Sequence, residues 1–470
     1  MQNRVIATVV LMVALFMDLM DSTITNVALP AIGADLGATP AQLEWTLAGY
    51  IVAFATLLVT GGRLGDIFGR RRVFVIGVIG FTVASLLAAL AQNGDALVAT
   101  RVIQGAFAGV MVPQVLSTLQ VLFAPKERGA IFGIVGALSA LGAVSGLLLG
   151  GALVTANAFG TGWRSIFLVN VPIGILLVIA ALLIVPASRS EHPLGLDLGG
   201  VLLGASAVFL VVFPLTDGRQ ADWAWWIWLM LAAAPIALLT FIWQQKRRQS
   251  HHRPTLLPLR LFADRGFSSG LLVQLLSSVG NGGYALILLF YVQQALGFTP
   301  FGAGLTLLPI AVGSMVSTPI AMALAKKLGR RAVALGGVIQ AVAFGLAFVV
   351  IAVAGDSLSG WQLVPALALA GAGMMVLVMP QTELTLATVP TEHAGAASGT
   401  LTTVGQVGMA LGVALGGAVY FGITEQSSPI TGVLVGLWVT IGAYLLAGAA
   451  GLAMPGVTKS SVATSELQVA

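Results

Sequence analysis

The first long apolar run of the chain contains two aspartates, Asp18 and Asp21, three residues apart. On a helix this spacing puts both carboxyls on one face. A charge inside an apolar helix is costly and usually faces a cavity. Two neighbouring carboxyls in such a place cannot both ionise easily, so at least one would hold a proton. The pair predicts a proton carrier, a site for a cationic substrate, or both, and a hydrogen bond that only fixes helix packing is the alternative for Asp21.

Three more charged residues fall within or beside apolar runs. Arg101 lies about one turn inside the fourth run, where it either faces the interior or extends its charged end to the membrane interface. Glu383 lies at the end of the twelfth run and is a candidate either for a specific role or for a solvated residue. We expect Glu44, at the start of the second run, to be solvated, with gating or attraction of cations as the alternative.

The residue types of covalent catalysis are not arranged at catalytic spacing. All four histidines fall in predicted loops, cysteine is absent, and no HExxH or P-loop motif occurs. This pattern argues against an enzyme or a nucleotide-driven pump, and we expect no metal and no cofactor. An ion gradient would then have to drive transport. A receptor or scaffold, which would show no solute flux, is the rival class.

Composition indicates that a lipid bilayer surrounds these residues. The chain has 470 residues, of which 58% are hydrophobic and 8% charged, against about 25% charged in soluble domains. Backbone groups in lipid need internal partners, so apolar runs of about 20 residues predict helices. The first run continues to Pro30, and we interpret it as a retained span rather than a cleaved signal. The fourteen predicted spans lie near 7–29, 42–62, 73–92, 97–121, 130–153, 163–186, 198–215, 225–245, 267–293, 302–325, 332–354, 361–385, 399–421 and 431–454.

The basic residues predict the orientation. With the N-terminus in the cytoplasm, every lysine and arginine except Arg101, Arg164 and Arg219 falls on the cytoplasmic side. This asymmetry is typical of topology signals. It predicts that both chain ends are cytoplasmic, and it argues against a nucleic-acid footprint for the net charge of +5.

An internal repeat divides the chain. LGATP at 36–40 returns as LGFTP at 296–300, and GRR at 69–71 returns at 329–331. Eight spans separate the equivalent segments, so the two halves are parallel repeats, an arrangement that places a substrate site between them. Spans seven and eight have no repeat partner. We predict a six-helix bundle at 1–190, two inserted helices at 191–250, a cytoplasmic linker at 251–265 and a second six-helix bundle at 266–470.

Several ordered motifs resemble one family. Residues 21–30, DSTITNVALP, are similar to a first-span motif, and residues 62–72, GRLGDIFGRRR, resemble a loop motif between spans two and three. The surroundings of Arg101 fit a fourth-span pattern, and residues 163–174, WRSIFLVNVPIG, resemble the start of a sixth span. Together with the span count, the chain resembles the major facilitator superfamily, in particular its fourteen-span drug/proton antiporters.

The resemblance implies an all-α membrane fold of two parallel six-helix repeats with two extra helices between them. It implies secondary active transport by alternating access: proton-coupled efflux of lipophilic, often cationic drugs across the cytoplasmic membrane, by a monomer. Spans one and four are neighbours in this fold, so Arg101 could pair with Asp21. Export of one metabolite or antibiotic, or uptake of a nutrient, is the alternative.

The loop motif at 62–72 predicts a cytoplasmic gate. Its glycines allow a tight turn, and Asp66 can accept from Arg70 or from a helix N-terminus across the interface between the halves. Such a cluster would lock the cytoplasmic side while the outer side is open, unless the arginines serve only as topology signals. The predicted gate residues are Gly62, Gly65, Asp66, Gly69, Arg70 and Arg71.

Two further spans carry candidate residues. The antiporter motif of span five has proline where this chain has Leu147, which removes an expected kink. Four glycines of that span form a small-residue face for close helix packing, and they are Gly142, Gly146, Gly150 and Gly151. Span nine is the repeat partner of span one and should help to line the cavity, although helix–helix contacts would also explain its polar residues. The cavity candidates are Asn281, Tyr284, Tyr291 and Gln294.

Overall fold

The computed structural model is almost entirely helical. It describes residues 2–123, 125–157, 160–189, 195–251, 253–256, 259–387, 389 and 394–455. The α-helices of these residues are, in chain order, α1 (Gln2–Leu36), α2 (Pro40–Phe68), α3 (Arg70–Ala89), α4 (Gly94–Leu122), α5 (Pro125–Ala156), α6 (Ser165–Leu168), α7 (Asn170–Ile184), α8 (Leu198–Asp217), α9 (Trp225–Ser250), α10 (Arg265–Phe290), α11 (Pro300–Leu328), α12 (Arg330–Ala354), α13 (Gly360–Ala387), α14 (Ala394–Gln426) and α15 (Pro429–Leu452).

The helices correspond to the predicted spans. Within the described residues, 13 helices are long and apolar enough to cross a membrane. The helix α5, with 32 residues, supplies one more long helix, and the sixth span is formed by Gly162–Ile184, which includes α6 and α7. The prediction of an all-α polytopic fold is confirmed.

The repeated LGATP and LGFTP motifs begin equivalent helices. The hydroxyls of Thr39 and Thr299 cap α2 and α11 by accepting backbone N–H groups of the first turn. A proline follows each threonine at a position where the helix needs no N–H donor. Both helices end at glycines with positive φ, Gly69 at 98° and Gly329 at 53°. The repeat in the sequence is therefore a repeat of helix starts and helix ends.

Helix packing repeats in the same way. In the first half α2 packs on α4, α1 on α5 and α3 on α7, and in the second half α11 packs on α13, α10 on α14 and α12 on α15. The two halves meet through α2 against α14 and through α5 against α11. The two-repeat architecture is confirmed, whereas the exact domain boundaries stay a prediction.

The halves are packed together at the end of the bundle where α2 and α11 begin, which we name the sealed end. There Gly151 of α5 lies against the backbone of Phe301, and Gly304 of α11 lies against the carbonyl group of Leu147. A side chain larger than hydrogen at either glycine would collide with the facing backbone. These glycines therefore permit the close contact.

The helices α8 and α9 pack on each other, and α8 also contacts α2 and α14, one helix from each half. Near the sealed end the indole nitrogen of Trp45 donates to Asp217 Oδ2 at 2.6 Å. Just after α8, Arg219 forms an ion pair with Glu425 of α14 at 3.0 Å. The segment thus contacts both halves at this end.

Candidate functional site

Asp21 lies at the centre of a buried polar cluster between α1, α4 and α7. Its side chain is fully buried. Arg101 donates to Asp21 Oδ2 at 2.6 Å, while Gln104 and Asn170 donate to Oδ1 at 2.9 and 2.6 Å. Two helices, α4 and α7, therefore direct polar side chains to one carboxylate of α1, as buried charges require.

Arg101 is itself satisfied on several sides. Its side chain is 1% exposed, so the alternative that it extends to the membrane interface is wrong. Its Nε donates to the backbone oxygen of Thr46 at 3.1 Å, and one terminal nitrogen also donates to Gln104 at 2.6 Å. The guanidinium lies 4.2 Å from the ring centre of Tyr50, a cation–π arrangement.

Asp18 has a different environment from Asp21. The phenol of Tyr50 donates to Asp18 Oδ1 at 2.5 Å, and Asp18 is 6% exposed. Tyr50 thereby links the two carboxyls: its hydroxyl bonds Asp18, and its ring lies under the Arg101 guanidinium, which pairs with Asp21. Asp21 is paired with a positive charge, whereas the hydrogen bond to Asp18 comes from a neutral hydroxyl. The two carboxyls therefore differ in whether their hydrogen-bond partner is charged.

In the predicted gate motif, Asp66 pairs with Arg70, which is one of the two partners that the sequence suggested. Arg70 donates to Asp66 at 2.8 Å, one helical turn away. The Arg70 backbone N–H donates to Ser188 O at 2.9 Å, and Arg71 donates to Val185 O at 3.4 Å. These contacts join the motif to the chain after α7, within the first half. They do not by themselves link the two halves.

The motif glycines fit tight places. Gly65 lies against the side chain of Gln114, and Gly62 faces Pro113, both on α4. Gly69 adopts φ 98° between α2 and α3, a conformation that favours glycine. The expectation that all three glycines serve a tight turn is wrong, because Gly62 and Gly65 lie within α2, where they allow close packing on α4, and only Gly69 lies at the α2–α3 turn.

Sequence reasoning missed a second cluster beside this motif. Asp197 caps α8 by accepting from Gly200 N–H at 2.9 Å, and it also accepts from Gln244 and Gln245 at 2.9 and 2.6 Å. Arg248 lies 3.4 Å from the same carboxylate. Although burial raises the pKa of Asp197, these donors together lower it below the ordinary value. The sequence signal was an aspartate just before the apolar run of α8, a typical helix cap.

Arg63 connects the gate motif to that cluster. It donates to the backbone oxygen of Gly195 at 3.0 Å and to that of Thr255. Both acceptors flank the inserted helices, so the arginine ties the end of α2 to the segment around α8 and α9. On its other side the end of α2 is bonded to α4, since Gln114 Nε2 donates to Gly61 O at 2.7 Å.

The small-residue face of α5 lies against α1. Gly142, Gly146 and Gly150 face Leu19, Thr23 and Ile24 in turn. Gly151 points instead to α11 at the sealed end. The glycines thus hold α5 close both to the helix that carries Asp21 and to the second half.

The other two acids considered in the sequence analysis, Glu383 and Glu44, lie outside the Asp21 cluster. Glu383 is exposed. The expectation that Glu44 is solvated is wrong: it is 1% exposed because α14 covers it, and its carboxyl lies against Gly417. Its Oε2 has no hydrogen-bond partner. Glu44 is therefore a buried acid at the contact between the halves.

The second half contains a cavity of about 450 Å³. Its lining comes from α10, α12, α13, α14 and α15 and includes Gln274, Asn281, Gln340 and Tyr444. The lining residues of α14 lie in the first half of that helix, on the side away from the sealed end, and those of α10, from Gln274 to Asn281, lie near its middle. The cavity is within the size range of small-molecule sites.

Of the four predicted cavity residues, Asn281 lines this cavity. Tyr284 is buried against Phe344, with ring centres 4.9 Å apart. Tyr291 is buried and donates to Gly355 O at 3.4 Å, and Gln294 is exposed. The other three residues do not reach the cavity, because Tyr284 lies further along α10 and Tyr291 and Gln294 lie beyond its end.

The comparisons with known proteins agree with this architecture. Residues 11–199 and 194–413 match the sequence profile of the Major Facilitator Superfamily. The chain belongs to the Major Facilitator Superfamily, a family of transporters and not of enzymes. The fold is similar to that of an auto-inhibited POT family peptide transporter, with a TM-score of 0.69 at 16% identity over 96% of this chain and 98% of that one.

Several relatives named as transporters or resistance proteins are similar to most of this chain. A probable actinorhodin transporter of Streptomyces coelicolor is 40% identical, over 88% of this chain and 72% of its own length. A puromycin resistance protein of Streptomyces alboniger is 33% identical over 88% of this chain and 82% of its own. A tetracenomycin C resistance and export protein of Streptomyces glaucescens is 32% identical over 87% and 74%. This chain is similar to transporters and resistance proteins.

Proposed function

We propose that this chain exports small organic molecules across the cytoplasmic membrane by alternating access, in exchange for protons. The observation that carries the proposal is the buried cluster around Asp21 and Arg101, joined through Tyr50 to Asp18. The relatives named for antibiotic export and resistance support export as the direction. Buried titratable groups of this kind exchange protons only when a conformational change gives them access to water.

The charge asymmetry supports a cytoplasmic N-terminus, and the sealed end is then the outer end. In this orientation the structure corresponds to an inward-facing state, with the cavity on the cytoplasmic side. The motif around Asp66 and Arg70 lies on the cytoplasmic side as well, where it would take part in closing that end. The partners of the cycle are the substrate, protons and the bilayer, and the transporter acts as a monomer.

Proton and substrate occupy separate places in this proposal. The two aspartates lie in the first half, and the cavity is lined by helices of the second half. Coupling then works through the relative position of the halves rather than by direct displacement. Substrate in the cavity favours the outward-facing state, and protonation of the aspartate pair favours the return.

The test uses purified protein in proteoliposomes with an imposed pH gradient. Asp18→Asn and Asp21→Asn are compared for gradient-driven flux and for substrate-induced proton release. We expect both variants to lose gradient-driven flux while exchange of labelled substrate at equal pH continues. Full gradient-driven flux and normal proton release in both variants would exclude this pair and leave Glu383 and Glu44 as the acids to examine.

A dedicated exporter of one antibiotic is a second candidate. The names of the relatives favour it, because three of them refer to a single compound. A flux screen over unrelated compounds separates the two candidates. One transported compound among many indicates a dedicated exporter, and several unrelated ones indicate multidrug efflux.

A further inference from the structure

The cavity of the second half has an uncharged lining. Among the described residues that line it, the polar groups are amides and hydroxyls, and none is Asp, Glu, Lys or Arg. Met374, Leu377 and Met409 supply an apolar part of the wall. Such a site offers hydrogen bonds and apolar contact but no counter-charge.

One lining group is unsatisfied. Gln340 of α12 is 2% exposed, and its Oε1 has no hydrogen-bond partner. A buried acceptor without a partner is unfavourable, and native structures seldom retain one without a reason. Because the side chain borders the cavity, a ligand O–H or N–H group would satisfy it.

The two buried acids of α1 do not supply the counter-charge that a cation would need in this cavity. Asp21 is neutralised by Arg101, and Asp18 is hydrogen-bonded to Tyr50. Both acids belong to α1 in the first half, and neither is among the residues that line the cavity. A cation entering the cavity would lose its water without gaining an anionic partner, which is strongly unfavourable inside a membrane.

We propose that this cavity binds an uncharged organic molecule with hydrogen-bond donors and an apolar face, and that permanently cationic compounds are not its ligands. The inference rests on the proposed export function, because it names the substrate class of that function. It replaces the cationic substrate that the family resemblance implies.

The probes are 2-(hydroxymethyl)anthraquinone, which is neutral and has a free O–H donor, and the same molecule carrying an added trimethylammonium group. Binding to this chain in detergent is measured by fluorescence titration, and flux of both probes is measured in proteoliposomes. We expect the neutral probe to bind and the cationic one to bind at least about tenfold more weakly, because the cavity lining offers no counter-charge. A tenfold change in affinity corresponds to about 1.4 kcal/mol.

The variant Gln340→Leu removes the unsatisfied acceptor, and Gln294→Leu is the matched control at an exposed amide outside the cavity. We expect Gln340→Leu to weaken binding of the neutral probe about three- to tenfold, the loss of one hydrogen bond, and Gln294→Leu to leave it unchanged. Gln340→Glu should weaken binding of the neutral probe and strengthen binding of the cationic one. If Gln340→Leu does not fold, Gln340→Met, which keeps the length of the side chain and removes the amide, provides the comparison.

The outcomes separate this inference from the proposed function. Tighter binding of the cationic probe, no binding of the neutral one, or equal effects of Gln340→Leu and Gln294→Leu would overturn the substrate class, even if pH-driven flux is observed. Neutral binding that depends on Gln340 but gives no flux under any gradient upholds the substrate class and refutes export.

Discussion

The substitution Asp21→Asn tests whether the buried ion pair holds α1 against α4. It leaves Arg101, which is 1% exposed, without its counter-charge. It also puts an amide where a carboxylate accepts from three donors, including Gln104 and Asn170. Removing one partner of a buried pair costs about 3–5 kcal/mol. We expect the free energy of unfolding in detergent to fall by at least about 3 kcal/mol.

The exposed pair of Asp35 and Arg164 provides the control. Their side chains also lie 2.6 Å apart, but they are 49% and 32% exposed. Pairs of this kind contribute about 0–1 kcal/mol, so Asp35→Asn should change stability little. The double variant Asp21→Asn with Arg101→Gln should be less destabilised than the sum of the two single variants, since it removes both charges. Similar effects of Asp21→Asn and Asp35→Asn, or additive effects in the double variant, would refute the reasoning.

Four further predictions concern topology, gating and stability. In this cysteine-free chain an impermeant thiol reagent applied to intact cells should label Gln220→Cys and spare Ser250→Cys, and the reverse would refute the orientation. Asp66→Asn should slow turnover with unchanged substrate affinity, and a large loss of affinity at normal turnover would exclude gating. The pKa of Asp197 in the folded protein lies below the ordinary 3.8, so the ionised carboxylate stabilises the fold above pH 3.8, and this stabilisation is lost as the pH falls through the folded pKa. In Asp197→Asn the free energy of unfolding should therefore fall less over this acid range than in the unchanged chain. Glu44→Lys should lower the melting temperature by several degrees, because it buries a cation at the sealed end, and Glu44→Gln should not.

Local signals account for the part of the fold that the sequence predicted. A run of apolar residues predicts a spanning helix wherever it lies in the chain, since lipid leaves the backbone no other partner. The caps at Thr39 and Thr299 are equally local, because the hydroxyl bonds its own first turn. An aspartate inside such a run, like Asp21, stands out from its neighbours without any knowledge of the packing.

Only the tertiary structure decided what surrounds these residues. Glu44 was expected in water, yet α14, more than three hundred positions away in the chain, buries it. Asn170 lies in the motif at 163–174, but nothing in the sequence showed that it binds Asp21 from α7. Tyr284 shares a helix with Asn281, but its ring packs against Phe344 in the core. The sequence determined which segments are helical and which of them carry a charge within an apolar run, because these depend on neighbours within a few residues. The tertiary structure decided partners, the cavity and its lack of charge, because these depend on which helix faces each helix and at what depth.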